Sequence, residues 1–300
     1  MIGEGERDET WRVLKMFADG RFQHTLQDFP PALQSEFRSM EPSRQKDYGS
    51  LVAAVHALGK NVFDFHGIGQ LTFEGQEYEL LKIASHPAVS PYAVQVPICL
   101  VAGVHGDEPD GILAALELAR RFARSPQLVS NYSLTIYPCV NPVGYERMTR
   151  ENGAGKDLNR EFFRNSAEEE VIAMERELRT HEFIGFISGH SDYESFGMYA
   201  YATGAILSER LAKPALFQAS SVIPINTDAV IDGHPAQNGI INQKFPGSLG
   251  PLSIGTTEPF DITVETPNLF ALSKRVEAQA IAFEIILHEY RAVAAEAVNL

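Results

Sequence analysis

An unbroken apolar run covers residues 96–104 and leads straight into the polar loop HGDEPDG at residues 105–111. A run without alternating polar positions is typical of a strand that is covered on both faces of a sheet. A helical pattern follows the loop, so this segment favours an α/β fold more strongly than any other part of the chain. In folds of this kind the reactive groups lie in loops at the carboxyl ends of the strands.

The rest of the chain continues this alternation. Strand patterns cover residues 71–73, 78–83, 134–137, 183–188 and 262–264, and helical patterns cover 112–122, 168–178 and 269–291. Together they predict an α/β protein with a three-layer α/β/α architecture and a mainly parallel, mixed central sheet.

The N-terminal part does not follow the alternation. One helical pattern has an apolar face around Trp11, and a second, after a helix cap at Ser50, has an apolar face around Leu51. We therefore expect an N-terminal helical extension over residues 1–65, followed by the main domain over residues 66–300.

The charge balance argues against several kinds of partner. The chain has 25 basic and 39 acidic residues, a net charge of −14, which disfavours nucleic acid and anionic membranes. The first residues lack the basic and apolar regions of a leader peptide, and the longest apolar run is too short to span a membrane. Cys99 and Cys139 lie in apolar runs, which predicts buried thiols. We expect a soluble, cytoplasmic protein.

The loop after the apolar strand contains the first candidate metal ligands. His105 and Glu108 form an H-x-x-E pair, which can place an imidazole and a carboxylate on one metal ion. The alternative is a polar turn in which Glu108 and Asp110 cap the following helix.

A second polar segment reads RENGAGKDLNR from Arg150 to Arg160. It is not a phosphate-binding loop, because Arg150 and Asp157 stand where that motif requires Gly and Ser or Thr. The planar guanidinium of arginine suits a carboxylate or a developing oxyanion. A solvated surface loop is the alternative interpretation.

Two further candidates stand where strand patterns end. His190 follows the strand at 183–188 and can supply a third metal ligand, although a histidine at such a place is often simply hydrogen-bonded. Glu265 follows the strand at 262–264, where the alternative is an exposed side chain.

These motifs occur in the order H-G-D-E-P, N-P-x-G, R-x-N-x-x-G-x-D-L-N-R, a strand-end histidine and T-V-E-T-P. The set resembles the zinc carboxypeptidases, the carboxypeptidase A-like or M14 metallopeptidases, and their compact bacterial branch in particular. The resemblance covers residues 96–300. Its strongest match is the segment from Arg150 to Arg160, and its weakest is His190.

The resemblance implies a zinc-dependent carboxypeptidase that hydrolyses the C-terminal amide bond of a peptide with a zinc-activated water. One zinc ion would be held by the ligands His105, Glu108 and His190. Asp157 would orient His105.

The resemblance also implies the catalytic and substrate-binding residues. Arg150 would lie beside the scissile carbonyl, and Glu265 would be the general base and acid. Asn159 and Arg160 would bind the terminal carboxylate of the substrate.

Two other functions stay open. N-acyl amino acid amidohydrolases of the aspartoacylase and succinylglutamate desuccinylase type have the same zinc site, and their substrate would also carry a free carboxylate. Those enzymes resemble one another in having two domains, with a β-rich segment after the catalytic glutamate. Here a helical pattern follows Glu265, which favours a peptidase. A non-catalytic binding protein on the same fold is the second alternative.

Asp107, Asp192 and Glu194 crowd the candidate ligands, so a second metal ion is a further possibility. Residues 199–260 are expected to line the pocket for the substrate side chain. The specificity of that pocket, the catalytic tyrosine, the oligomeric state and the role of residues 1–65 do not follow from the sequence.

Overall fold

The structure, a computed structural model, describes residues 46–58, 60–86, 95–204, 207–253, 255 and 258–298. Its helices are α1 (Tyr48–His56), α2 (Pro109–Arg124), α3 (Pro142–Arg147), α4 (Glu169–Thr180), α5 (Leu207–Ala219) and α6 (Leu272–Val298). Its strands are β1 (Phe63–Phe73), β2 (Gln76–Ser85), β3 (Val96–Ala102), β4 (Tyr132–Tyr137), β5 (Gly185–Asp192), β6 (Tyr199–Gly204), β7 (Val230–Ile231), β8 (His234–Gln237), β9 (Ile240–Ile241) and β10 (Phe260–Pro267).

The ten strands form one sheet in the order β1-β2-β4-β3-β5-β10-β6-β9-β8-β7. The central strands β4, β3, β5 and β10 are parallel to one another. On one side β1 and β2 run antiparallel to their neighbours, and on the other side β6 runs antiparallel to β10 but parallel to β9. Residues 98–102 of β3 are fully buried, as the unbroken apolar run predicts. The predicted mixed sheet with a parallel centre is confirmed.

Helices cover both faces of the sheet. On one face α6 packs between α2 and α5. On the other, α4 packs against β1, and its Glu177 accepts hydrogen bonds from Lys82 of β2 at 2.7 Å and from Tyr137 of β4 at 3.0 Å. The predicted three-layer α/β/α architecture is confirmed.

The described part of the N-terminal region belongs to this core. Leu51 of α1 is buried in the same apolar cluster as the strands, and β1 begins at Phe63. The helix cap is Asp47 rather than the expected Ser50, because the Asp47 carboxylate accepts the first free backbone N–H groups. The face around Trp11 lies outside the described residues, and the domain boundary at residue 65 stays a prediction.

Two predictions about the chain as a whole concern its thiols and its location. Cys99 and Cys139 are free and buried, as expected from their apolar surroundings. Within the described ranges, no helix is long and apolar enough to cross a membrane. The cytoplasmic location stays a prediction.

The sheet brings the strand-end candidates to one edge. β3, β5 and β10 run in parallel, so their carboxyl ends meet. Glu265 and His190 are direct partners in the β5–β10 register, and Tyr199 of β6 is the partner of Glu265 on its other side.

Candidate active site

Three side chains that can bind a metal converge beyond the carboxyl ends of β3 and β5. Glu108 Oε1 lies 2.7 Å from His105 Nδ1, Glu108 Oε2 lies 2.8 Å from His190 Nδ1, and the two Nδ1 atoms are 3.2 Å apart. The three residues are 2 to 5% exposed. Theirs is the single group of three such ligand residues found within the described part of the chain.

Glu108 therefore does not act as the helix cap that the alternative interpretation suggested. It stands in the N-cap position of α2, but its side chain makes no capping hydrogen bond and turns both oxygens to the two imidazoles. Asp110, the other candidate cap, is fully buried and contacts β5 and β10 instead.

Asp157 contacts the His105 ring on the side opposite Glu108 and His190. Asp157 Oδ1 lies 3.2 Å from His105 Nε2, so an N–H at Nε2 leaves the Nδ1 lone pair directed at Glu108 and His190. Asp157 Oδ2 accepts hydrogen bonds from Arg150 Nε and Nη2 at 3.2 and 3.1 Å. Asp157 thus links the imidazole ring to the guanidinium.

The electrostatics of the group favour a cation at its centre. Burial lowers the pKa of His105, but the Glu108 and Asp157 carboxylates outweigh burial and raise that pKa to about 9. Burial opposes ionisation of Glu108 and Asp157 as well, yet the facing imidazoles hold the pKa of each carboxyl below its usual range. Two nitrogen donors and a carboxylate fit the three protein ligands of a catalytic zinc ion, whose fourth ligand is usually water.

The backbone of the loop that carries His105 and Glu108 packs closely against the start of α3. Gly106 lies against the start of α3, where a Cβ on Gly106 would be 1.9 Å from the carbonyl carbon of Gly144. Asn141 caps α3 by accepting a hydrogen bond from Gly144 N at 2.8 Å. The H-G-D-E and N-P-x-G motifs are therefore two sides of one contact.

Glu265 lines the same cavity from β10, beside His190. Burial, together with the neighbouring carboxylates of Glu108 and Asp192, raises the pKa of Glu265 well above its usual range. A carboxyl group whose pKa is shifted in this way and that faces a cavity is a candidate for acid–base chemistry. Tyr199 next to it donates a hydrogen bond to Asp192 Oδ2 at 2.9 Å.

The cavity has a volume of about 310 Å³. Arg150, Asn159 and Arg160 contribute to its wall, together with the three candidate ligands. Arg160 is exposed, and its Nη1 donates to the Asn159 carbonyl at 2.8 Å while its guanidinium lies 5.5 Å from the centre of the Phe245 ring. Asn159 Oδ1 accepts a hydrogen bond from Leu249 N at 2.8 Å, so this side chain also fixes the cavity wall.

The cavity wall also contains polar residues that the sequence motifs did not indicate. Asp261 and Thr263 line it from β10, on the same strand face as Glu265. Thr203 Oγ1 lies 3.0 Å from Asp261 Oδ2, and Lys244 Nζ lies 3.4 Å from the same oxygen. The two-residue spacing Asp261, Thr263, Glu265 was the available signal, because alternate residues of a strand share a face.

The acidic residues considered for a second metal ion have other partners. Asp107 Oδ2 accepts a hydrogen bond from Tyr193 at 3.1 Å, and Asp192 accepts one from Tyr199. Asp192 and Glu194 line the cavity, whereas Asp107 does not. A second ion stays a prediction.

A buried His–Glu–His group at the strand ends of an α/β sheet suits a metal-dependent hydrolase. Residues 50–219, more than half of the chain, match the family model of the zinc carboxypeptidases, Peptidase_M14. The chain belongs to this metallopeptidase family, as the sequence motifs indicated.

Solved structures share the fold at low sequence identity. A protein of Shewanella baltica, provisionally described as a metallopeptidase, superposes with a TM-score of 0.66 at 24% identity, over 83% of this chain and 92% of that one. A metallo-carboxypeptidase from Burkholderia cenocepacia gives 0.59 at 18%, over 82% and 69%. One from Pseudomonas aeruginosa, in complex with (2-guanidinoethylmercapto)succinic acid, gives 0.53 at 18%, over 80% and 67%. No curated protein sequence matches the chain.

Proposed function

We propose that the protein is a zinc-dependent carboxypeptidase that removes the C-terminal residue of a peptide. One observation carries this proposal: a single cavity holds the buried His105–Glu108–His190 group, a carboxylate beside it at Glu265, and the exposed guanidinium of Arg160. These are the groups needed to hold a metal, to move a proton and to bind an anionic chain end.

His105 Nδ1, His190 Nδ1 and one oxygen of Glu108 would hold the zinc ion. When bound, zinc lowers the pKa of a coordinated water towards about 7 and polarises the scissile carbonyl. In the zinc-bound protein Asp157 would accept a hydrogen bond from His105 Nε2, which would leave Nδ1 to the metal.

Glu265 would accept the proton of the attacking water and return it to the leaving amine. Its place in β10, in register with His190, supports this role because it faces the ligands without being part of their contact group. Arg150 Nη1 lies 3.3 Å from His105 Nδ1 and 3.6 Å from Glu108 Oε1. At this place the fixed positive charge of Arg150 would stabilise a developing oxyanion.

Arg160 and Asn159 would bind the substrate's terminal carboxylate. The Arg160 guanidinium keeps donors free beyond its bond to the Asn159 carbonyl, and no carboxylate of the described residues forms an ion pair with it. An anionic substrate group would supply that partner. Peptides and N-acyl amino acids both carry such a group, and the zinc ligand set suits hydrolysis of either amide.

Amidation of the peptide's C-terminus is expected to raise the activation free energy by about 2 kcal/mol or more, about a thirty-fold loss in kcat/KM. The reason is that the amide leaves the Arg160 guanidinium without its anionic partner. The measurement compares kcat/KM for the free and amidated forms of one peptide.

Arg160→Gln should lose most of this discrimination, because the glutamine cannot tell the two chain ends apart by charge. Arg179→Gln is the matched control, since Arg179 is exposed and pairs with Glu175 on α4. Equal turnover of the two peptides by the wild-type protein would refute the carboxylate site and indicate an endopeptidase or another amidase.

A further inference from the structure

A single buried carboxylate connects the two strands that carry His190 and Glu265. Asp110 belongs to the first turn of α2 and is fully buried. Its Oδ1 accepts a hydrogen bond from Ser191 Oγ of β5, and its Oδ2 accepts one from Thr266 Oγ1 of β10, both at 2.5 Å.

The sheet register gives this connection its meaning. Ser191 and Thr266 are direct partners in the parallel β5–β10 pair, and the pair immediately before them is His190 and Glu265. Side chains alternate along a strand. The His190 and Glu265 side chains therefore face the cavity, whereas the Ser191 and Thr266 hydroxyls face Asp110 of α2. Holding Ser191 and Thr266 together therefore fixes the spacing of the two cavity side chains one step earlier.

Helix α6 reinforces the same point. Gln279 Nε2 donates to the backbone carbonyl of His190 at 2.5 Å and to Thr266 Oγ1 at 2.9 Å. Arg275 Nη1 lies 3.3 Å from Asp110 Oδ1 and compensates its buried charge. Gln279 thus joins the His190 backbone to the Thr266 hydroxyl, and Arg275 supports the carboxylate that holds Ser191 and Thr266.

The packing of α2 on β5 is unusually close. A Cβ on Gly111 would lie 2.7 Å from the carbonyl oxygen of Gly189, which no side chain permits. This approach lets Asp110 reach Ser191. Gly189 is closely packed as well, since a Cβ there would lie 3.2 Å from Gly111 Cα. Gly189 directly precedes His190, the weakest match of the sequence to the zinc carboxypeptidase pattern.

We propose that Asp110, acting through Ser191 and Thr266, is a positioning residue that sets His190 relative to Glu265. The inference rests on the proposed function, in which His190 is a zinc ligand and Glu265 moves the proton. The Ser191 arm acts on the ligand strand, and the Thr266 arm acts on the strand of the base. The two arms therefore have different main readouts, although Gln279 also joins Thr266 Oγ1 to the His190 carbonyl.

Ser191→Ala is expected to weaken zinc binding about ten-fold, measured by competition with a chelator, while kcat at saturating zinc changes little. Thr266→Val should leave zinc affinity and KM unchanged and lower kcat about ten-fold. Thr266→Ser restores the hydroxyl and should restore kcat, which a role in packing alone does not predict.

Tyr137→Phe is the control, because it removes a buried hydroxyl that bonds Glu177 in the other helical layer. It is expected to lower thermal stability without changing zinc affinity or kcat. If Ser191→Ala and Thr266→Val behave like this control, losing stability alone, the positioning role is overturned.

Zinc affinity separates this inference from the proposed function. Weaker zinc binding by Ser191→Ala supports the positioning role even if the wild-type protein hydrolyses no peptide, an outcome that sinks the proposed function alone. Unchanged zinc binding by Ser191→Ala and unchanged kcat in Thr266→Val, in an active wild-type protein, sink the positioning role alone. These two variants test the proposal without changing Asp110 itself, whose loss would leave the largely buried Arg275 guanidinium without its carboxylate partner.

Discussion

Glu265→Gln is expected to lower kcat by about two to four orders of magnitude while zinc stays bound. The amide has nearly the same shape as the carboxylate but cannot accept the proton of the attacking water. Substrate affinity should change little, because Glu265 lies beside His190 rather than in the proposed carboxylate site. The measurement is kcat, KM and zinc content for both proteins.

Glu182→Gln makes the same chemical change at an exposed position between α4 and β5, and we expect it to leave kcat as it is. Near-normal kcat in Glu265→Gln with full zinc would remove Glu265 as the base. Glu194 would then be the next candidate for the base, because it is the other glutamate of the cavity wall that is not a candidate ligand.

His190→Ala is expected to lose most of the bound zinc and, with it, activity. The change removes one of the two nitrogen donors and leaves a site with a single imidazole and a carboxylate. It also leaves Glu108 Oε2 without its 2.8 Å partner. Elemental analysis after gel filtration measures the loss directly.

His288→Ala serves as the control, because His288 is exposed on α6 and its ring contacts Glu289. It should keep its full zinc content. Full zinc occupancy in His190→Ala would take His190 out of the metal site and leave two ligands to explain the binding.

The sequence was most informative where local pattern and topology coincide. The apolar run ending at residue 104 predicts a central strand, and a parallel neighbour brings His190 to the same edge. Glu265 follows by the same reasoning from β10. The contact between His105 and Asp157 was implied by the family resemblance rather than by any local pattern, because 52 residues separate them.

The remaining parts of the site depend on pairings that a single sequence does not encode locally. Tyr199 lies beside Glu265 because β6 inserts antiparallel next to β10, a neighbour far away along the chain. From the sequence, Asp110 is a candidate helix cap. Its burial does not follow from the sequence, because it depends on how closely α2 approaches β5. Lys244 reaches Asp261 from a loop without a regular pattern.

The most direct test of the proposed function titrates zinc into metal-free protein and follows the release of free amino acid from a peptide and from an N-acyl amino acid. We expect release of the peptide's C-terminal residue to rise in proportion to zinc and to level off at one ion per chain. Faster hydrolysis of the N-acyl amino acid would indicate an amidohydrolase instead. No release of the C-terminal residue at any zinc content would contradict the assignment as a zinc carboxypeptidase.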